Sequence, residues 1–139
     1  MKYLCCILIS IFLLVNHTRG ESPVRKCVRE KARTQLICMT QCKYNYYGFT
    51  DEDSNITEKH MENFRDVLVK YGAVSSSDQA KIFDHIKACG QQANAKNPQS
   101  TEEKCKKLTK YYKCVVDNKT LTFSKYVHAV IKHDKTLNV

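Results

Sequence analysis

The sequence predicts an all-α fold of five to six short helices stapled by three disulfides, and three observations predict it. Apolar residues recur at helical spacing through nearly all of the chain that follows its first twenty residues. Four glycines and two prolines in 139 residues are too few turn-formers for an all-β sandwich or barrel. Eight cysteines in so short a chain point to an oxidising compartment. The composition, 42% hydrophobic and 27% charged, is that of a globular chain rather than a disordered one, and the length supports one domain. No glycine-rich phosphate loop occurs, which excludes Rossmann, P-loop and kinase readings.

The first element is expected to be removed. Met1-Lys2 is a short positive start, Leu4 to Val15 is an apolar run of twelve, and Thr18-Arg19-Gly20 offers small residues at the −3 and −1 positions of a cleavage site. This is the pattern of a secretory signal peptide over residues 1–20. The run is shorter than the roughly 20 residues a membrane span needs, so no membrane insertion is expected. Residues 21–139 are expected to form one secreted helical domain, acting as a monomer.

Five helical segments follow. Ser22-Pro23 opens the first, proline being suited to a first helical turn. Residues 24–44 run without a breaker and divide into two helices near Thr34. The next starts at Asn55 or Thr57, carries Met61, Phe64, Val67, Leu68 and Tyr71 at helical spacing, and stops at Gly72. Ser76 with Gln79 reads as a capping box ahead of a face made by Ala80, Ile82, Phe83, Ile86 and Cys89, closed by Gly90. Residues 91–99, with Pro98, read as a loop. Ser100 with Glu103 is a second capping box, leading into Cys105, Leu108, Tyr112 and Val115. The last segment, about 121–134, presents Leu121, Phe123, Val127, Val130 and Ile131.

Loss of residues 1–20 leaves six cysteines, Cys27, Cys38, Cys42, Cys89, Cys105 and Cys114, spaced C-x10-C-x3-C-x46-C-x15-C-x8-C. Cys38 and Cys42 share one helix face and so bridge to different neighbours; sequence alone leaves 15 pairings open. C-x3-C and C-x8-C are not zinc spacings, and no metal is expected.

With C-x3-C early, C-x8-C late and helices between, the chain resembles the insect odorant-binding-protein superfamily. The stretch Gln41-Cys42-Lys43-Tyr44-Asn45-Tyr46-Tyr47-Gly48-Phe49, with the leader MKYL, resembles the small odorant-binding-protein-like salivary proteins of sand flies. The resemblance implies the interleaved pairing Cys27–Cys42, Cys38–Cys105 and Cys89–Cys114. It also implies secretion in saliva, with binding of anionic polymers and hence anticoagulant inhibition of the contact pathway during blood feeding. The first cysteine gap, ten residues, is shorter than in antennal odorant carriers, which takes away part of the wall of their ligand cavity.

Charge placement points the same way. Residues 21–139 hold 21 basic and 14 acidic side chains, a net of +7: +4 in 21–50, −2 in 51–99 and +5 in 100–139. Lys106, Lys110 and Lys113 fall on one helix face, away from Cys105, Leu108, Tyr112 and Val115. Lys125, His128, Lys132 and Lys135 form a second row, away from Val127, Val130 and Phe123, and Arg25, Arg29 and Arg33 a third at i, i+4, i+8. Solvated lysine is the default outer face of any amphipathic helix. Three rows with few acidic partners attract polyanions by long-range field and counterion release. The expected partners are anionic polysaccharides such as heparin, heparan-type glycans and dextran sulfate, or polyphosphate, with any nucleic-acid binding sequence-blind. The alternative is a carrier that sequesters a small hydrophobic ligand, biogenic amine or lipid mediator in an internal cavity lined by tyrosine and phenylalanine. No catalytic residue, enzymatic activity or cofactor is expected: G-x-S-x-G and H-E-x-x-H are absent, and the histidines of residues 21–139, His60, His85, His128 and His133, have no nucleophile motif beside them. His128 and His133 are expected to add charge to the last row below about pH 6.5.

Overall fold

The computed structural model describes residues 20–33 and 35–139; the expected signal peptide, apart from Gly20, and the helix junction residue Thr34 lie outside the described residues. The described residues form six helices, α1 (Pro23–Lys31), α2 (Met39–Tyr46), α3 (Glu58–Lys70), α4 (Gln79–Asn94), α5 (Thr101–Val116) and α6 (Phe123–Asp134), with 3-10 turns at Leu36–Cys38 and Ser76–Asp78. No strand occurs among the described residues, and none of their helices is long and apolar enough to cross a membrane.

Local chemistry sets the boundaries. The Ser22 hydroxyl caps α1 with Pro23 at its first position, and the Thr122 hydroxyl caps α6. At α3, Thr57 accepts from the His60 N–H while the His60 ring accepts from the Thr57 N–H, a reciprocal pair that satisfies two orphan donors. Both α2 and α3 end in the same device. Gly48 (φ 69°) and Gly72 (φ 73°) take the left-handed conformation, so that the Phe49 N–H reaches the Tyr44 carbonyl and the Ala73 N–H the Leu68 carbonyl, each a Schellman closure.

Five details of the sequence expectation are corrected. The Ser76–Gln79 capping box does not form: residues 76–78 are a 3-10 turn, and the Ser75 hydroxyl bonds Ser77 and Asp78 instead. Gly90 does not end α4, which runs on to Asn94. It is buried in mid-helix, where an added Cβ would lie 2.5 Å from Met61 Sδ, so this glycine answers to close packing rather than to a turn. Ala80 faces solvent, leaving Ile82, Ile86 and Cys89 as the buried residues of that helix face. Leu121 is buried ahead of α6, whereas Phe123 is 61% exposed. The second capping box is half formed, for the Ser100 hydroxyl accepts from the Glu103 N–H while the Glu103 carboxylate accepts from Gln99, one residue before the cap.

The disulfides are Cys27–Cys42, Cys38–Cys105 and Cys89–Cys114, the interleaved pairing that the resemblance implies. They join α1 to α2, the first 3-10 turn to α5, and α4 to α5. Helices α3 and α6 carry no cysteine and are held by packing and hydrogen bonds. In the core between them Phe49 stacks on Phe64 at 4.2 Å between centroids, with Tyr44 edge-on to both and its hydroxyl 2.9 Å from that of Tyr126. Leu68, Ile82, Ile86, Leu108, Tyr111 and Val115 complete the buried centre. The aromatic side chains therefore fill the middle of the bundle.

Candidate anion-binding surfaces

Ion pairing divides the cations into two groups. Four of the six in the acidic middle are matched locally: Lys59 with Glu62, Arg65 with Asp66, Lys81 with Asp78 and Lys87 with Asp84. Of the nine cations singled out by sequence, Arg29 pairs with Glu21 and Glu30, and Lys106 with Glu102. That partner holds the Lys106 pKa above the usual lysine range, first through its hydrogen bond and then through its charge. Arg25, Arg33, Lys110, Lys113, Lys125, Lys132 and Lys135 are all exposed, and none has a carboxylate within 4.0 Å among the described residues. Such groups lose no ion pair when an anion arrives.

The three rows differ in how far they survive. Lys106, Lys110 and Lys113 project from α5 opposite the buried Leu108 and Val115, as predicted. The arginine row breaks, because α1 ends at Lys31 and Arg33 lies in the turn beyond it. In α6, Lys125, His128 and Lys132 are exposed and Lys135 sits at the C-terminal cap. His133 is a correction: it packs against the rings of Tyr47, Phe49 and Tyr71, and burial, then the nearby Lys70 charge, hold its pKa below the ordinary value. It therefore adds less charge to the row than an ordinary histidine would.

Two grooves gather some of these residues. One, about 680 Å³, lies where the start of α1 meets the end of α6, and Val24, Tyr44, Tyr47, Tyr112, Phe123, Tyr126, Val130 and Ile131 line it together with Arg25, Lys43, Asp134 and Lys135. Asp134 is buried and accepts the Val24 N–H at 2.8 Å and the Tyr47 hydroxyl at 3.0 Å, tying the start of α1 to the end of α6. Burial lowers the Lys43 pKa, and the Asp134 charge opposes that shift.

The second groove, about 570 Å³, runs between the end of α4 and α5. Lys96, Lys106, Lys107 and Lys110 line it with Gln92, Asn97, Pro98, Glu103, Tyr111 and the Cys89–Cys114 bridge. The structure thus brings Lys106 together with Lys110, and Arg25 with Lys135. Lys113, Lys125, Lys132, Arg29 and Arg33 line neither groove.

Lys96 and Lys107 escaped the sequence reading. Lys96 follows α4 in a stretch read as featureless loop, and Lys107 sits half-buried at the border between the apolar and cationic faces of α5. His85, Cys89 and Cys114 also cluster, but both sulfurs are bonded to each other and offer no thiolate to a metal.

No family model matches the chain. It is 36% identical over 131 residues to Ayaconin of Lutzomyia ayacuchensis, covering 94% of this chain and 90% of that protein. It is 32% identical to Salivary protein 15a and 31% identical to Salivary protein 15b of Phlebotomus duboscqi, in each case across the whole of both chains. Similarity of this degree and extent makes the chain a member of the family of sand fly salivary proteins that includes these three.

Proposed function

We propose that this protein is secreted in saliva and binds anionic polymers and surfaces through its basic helix faces, thereby inhibiting contact-pathway activation of coagulation. The observation that carries the reading is the group of seven exposed cations with no carboxylate within reach among the described residues, set against a middle in which four of six cations pair locally. A flexible polyanion meeting such a surface displaces its own counterions, and that release drives binding without any enclosed pocket. Heparin and heparan-type glycans, dextran sulfate and polyphosphate are the partners this chemistry suits. The names of two relatives, which say salivary, and the three disulfides support secretion. The interleaved bridges on a helical frame support placing the family within the odorant-binding-protein superfamily. The protein acts as a monomeric binder, not as an enzyme.

The test is elution from immobilised heparin in rising salt, comparing the parent with the charge-reversal variant K106E/K110E/K113E/K125E/K132E. The parent is expected to be retained at low salt and released steeply as salt rises, and the variant to pass through. Equal retention of both refutes the site assignment. Prolongation of surface-triggered clotting by the parent alone then links binding to function.

A second reading, carriage of a small amphipathic ligand, has the aromatic groove in its favour, since Phe123 and Ile131 leave much of their apolar surface exposed there. Stoichiometric, salt-insensitive heat with serotonin or a leukotriene in calorimetry supports that reading over the first.

A further inference from the structure

We propose that the groove between the end of α4 and α5 is a discrete seat for a compact cluster of phosphate or sulfate groups, such as a short oligophosphate or one heavily sulfated sugar unit. The inference rests on the polyanion reading and deepens it, because it turns part of a diffuse cationic surface into a saturable site with its own ligand class. Three features argue for it.

The first is convergence. Lys96 comes from beyond α4 and Lys106, Lys107 and Lys110 from α5, yet all four border one concavity. A flat row of lysines meets a polymer one charge at a time, whereas a concave wall of low dielectric focuses the field of several on one spot. The volume, about 570 Å³, falls within the roughly 300–1,000 Å³ of small-molecule sites, and Gln92 and Asn97 add neutral amide donors to the lining.

The second is the state of the opposing charge. Glu103 is the one carboxylate lining the groove, and it already accepts the Gln99 N–H at 2.7 Å. Glu102 pairs with Lys106, and Asp51 is the distant acid that acts on Lys107. Lys96, Lys107 and Lys110 have no ion-pair partner among the described residues. Burial lowers the Lys107 pKa, so this ammonium is partly stripped of water without a bound carboxylate in return. An anion in the groove supplies the missing counter-charge.

The third is rigidity. Cys89 and Cys114 both line the groove and are bonded to each other, which fixes α4 against α5. A wall held by a covalent bond loses little further freedom when it binds, and preorganisation of that kind raises affinity.

The experiment is calorimetry of the full mature chain with two probes, tripolyphosphate and a fully sulfated heparin tetrasaccharide, run beside heparin-column retention. The parent is expected to bind at least one probe at 1:1 stoichiometry. K107A/K110A, or K110A alone should the double variant lose its native circular dichroism, weakens that binding about tenfold, while K59A/K81A, at two locally paired cations outside the groove, leaves it within about twofold. Preference between the probes tells an oligophosphate ligand from a sulfated sugar. Column retention without 1:1 binding of either probe, or equal probe affinity in K107A/K110A and the parent, overturns the seat and leaves the polymer reading intact. Stoichiometric probe binding with no column retention supports the seat and removes the polymer reading.

Discussion

In the groove between α1 and α6, three cations share an aromatic lining with a buried carboxylate, Asp134, whose acceptor oxygen is taken by Val24 and Tyr47. In the groove between α4 and α5, four lysines border the cavity and its single carboxylate is turned to a backbone N–H. The two also differ in what holds them open. The first depends on hydrogen bonds and on packing against α6, which has no cysteine; the second has a disulfide in its wall. Like charges crowded on one face repel and add nothing to folding. A covalent tie allows the chain to keep them together, whereas the uncrosslinked groove has its internal negative charge to offset its cations.

The strongest way to break this comparison is to remove the tie. Replacing Cys89 and Cys114 together with alanine opens a crosslink spanning 25 residues, and loops of that size are worth about 3–4 kcal/mol. Denaturant unfolding is expected to show that loss, with weaker tripolyphosphate binding in the fraction that still folds. Unchanged stability would mean that packing of α4 on α5 suffices to assemble the lysine groove.

The matching cut on the other side is Asp134→Ala. It strands the Val24 N–H and the Tyr47 hydroxyl, at a cost of about 2 kcal/mol for buried donors left unsatisfied. Asp134→Asn keeps an acceptor oxygen and is expected to recover most of it. Hydrogen exchange is expected to rise at the start of α1 and the end of α6 in the alanine variant, and to stay at the parent level near the Cys89–Cys114 bridge. Exchange rising equally in both places would show that the two grooves are one cooperative unit.

What the sequence revealed of these grooves follows from how local each signal is. The α5 face was legible because Leu108 and Val115 alternate with Lys106, Lys110 and Lys113 within one helix, and a 3.6-residue period needs no knowledge of neighbours. Phe123 was misplaced because it stands in the first turn of α6, where the period is intact but no neighbouring element covers the side chain. Gly90 was misread because glycine ends many helices through positive φ, while here it admits Met61, a contact 29 positions away in sequence. Lys96 and Lys107 were invisible as a pair for the same reason: only the docking of α4 on α5 makes them neighbours in one cavity. The disulfide pairing was open on spacing alone and came from resemblance, since nothing local in a cysteine names its partner.

The finest test of the difference is a pH slope rather than a step. His133 stands beside Asp134 at the uncrosslinked end, among the rings of Tyr47, Phe49 and Tyr71, and its buried Nε2 has no hydrogen-bond partner among the described residues. Burial and the Lys70 charge depress its pKa, so the folded chain favours the neutral ring. At pH 7.5 the ring is neutral in both folded and unfolded chains and contributes nothing to the pH dependence. As pH falls through about 6.5 the unfolded chain binds the proton first, and stability is lost progressively until the folded ring protonates as well. His133→Phe removes this component, so unfolding free energies at pH 7.5, 6.5 and 5.5 are expected to fall less steeply in the variant than in the parent. Parallel slopes would show that the aromatic cage accepts the charged ring, and that Asp134, not burial, governs the electrostatics at that end.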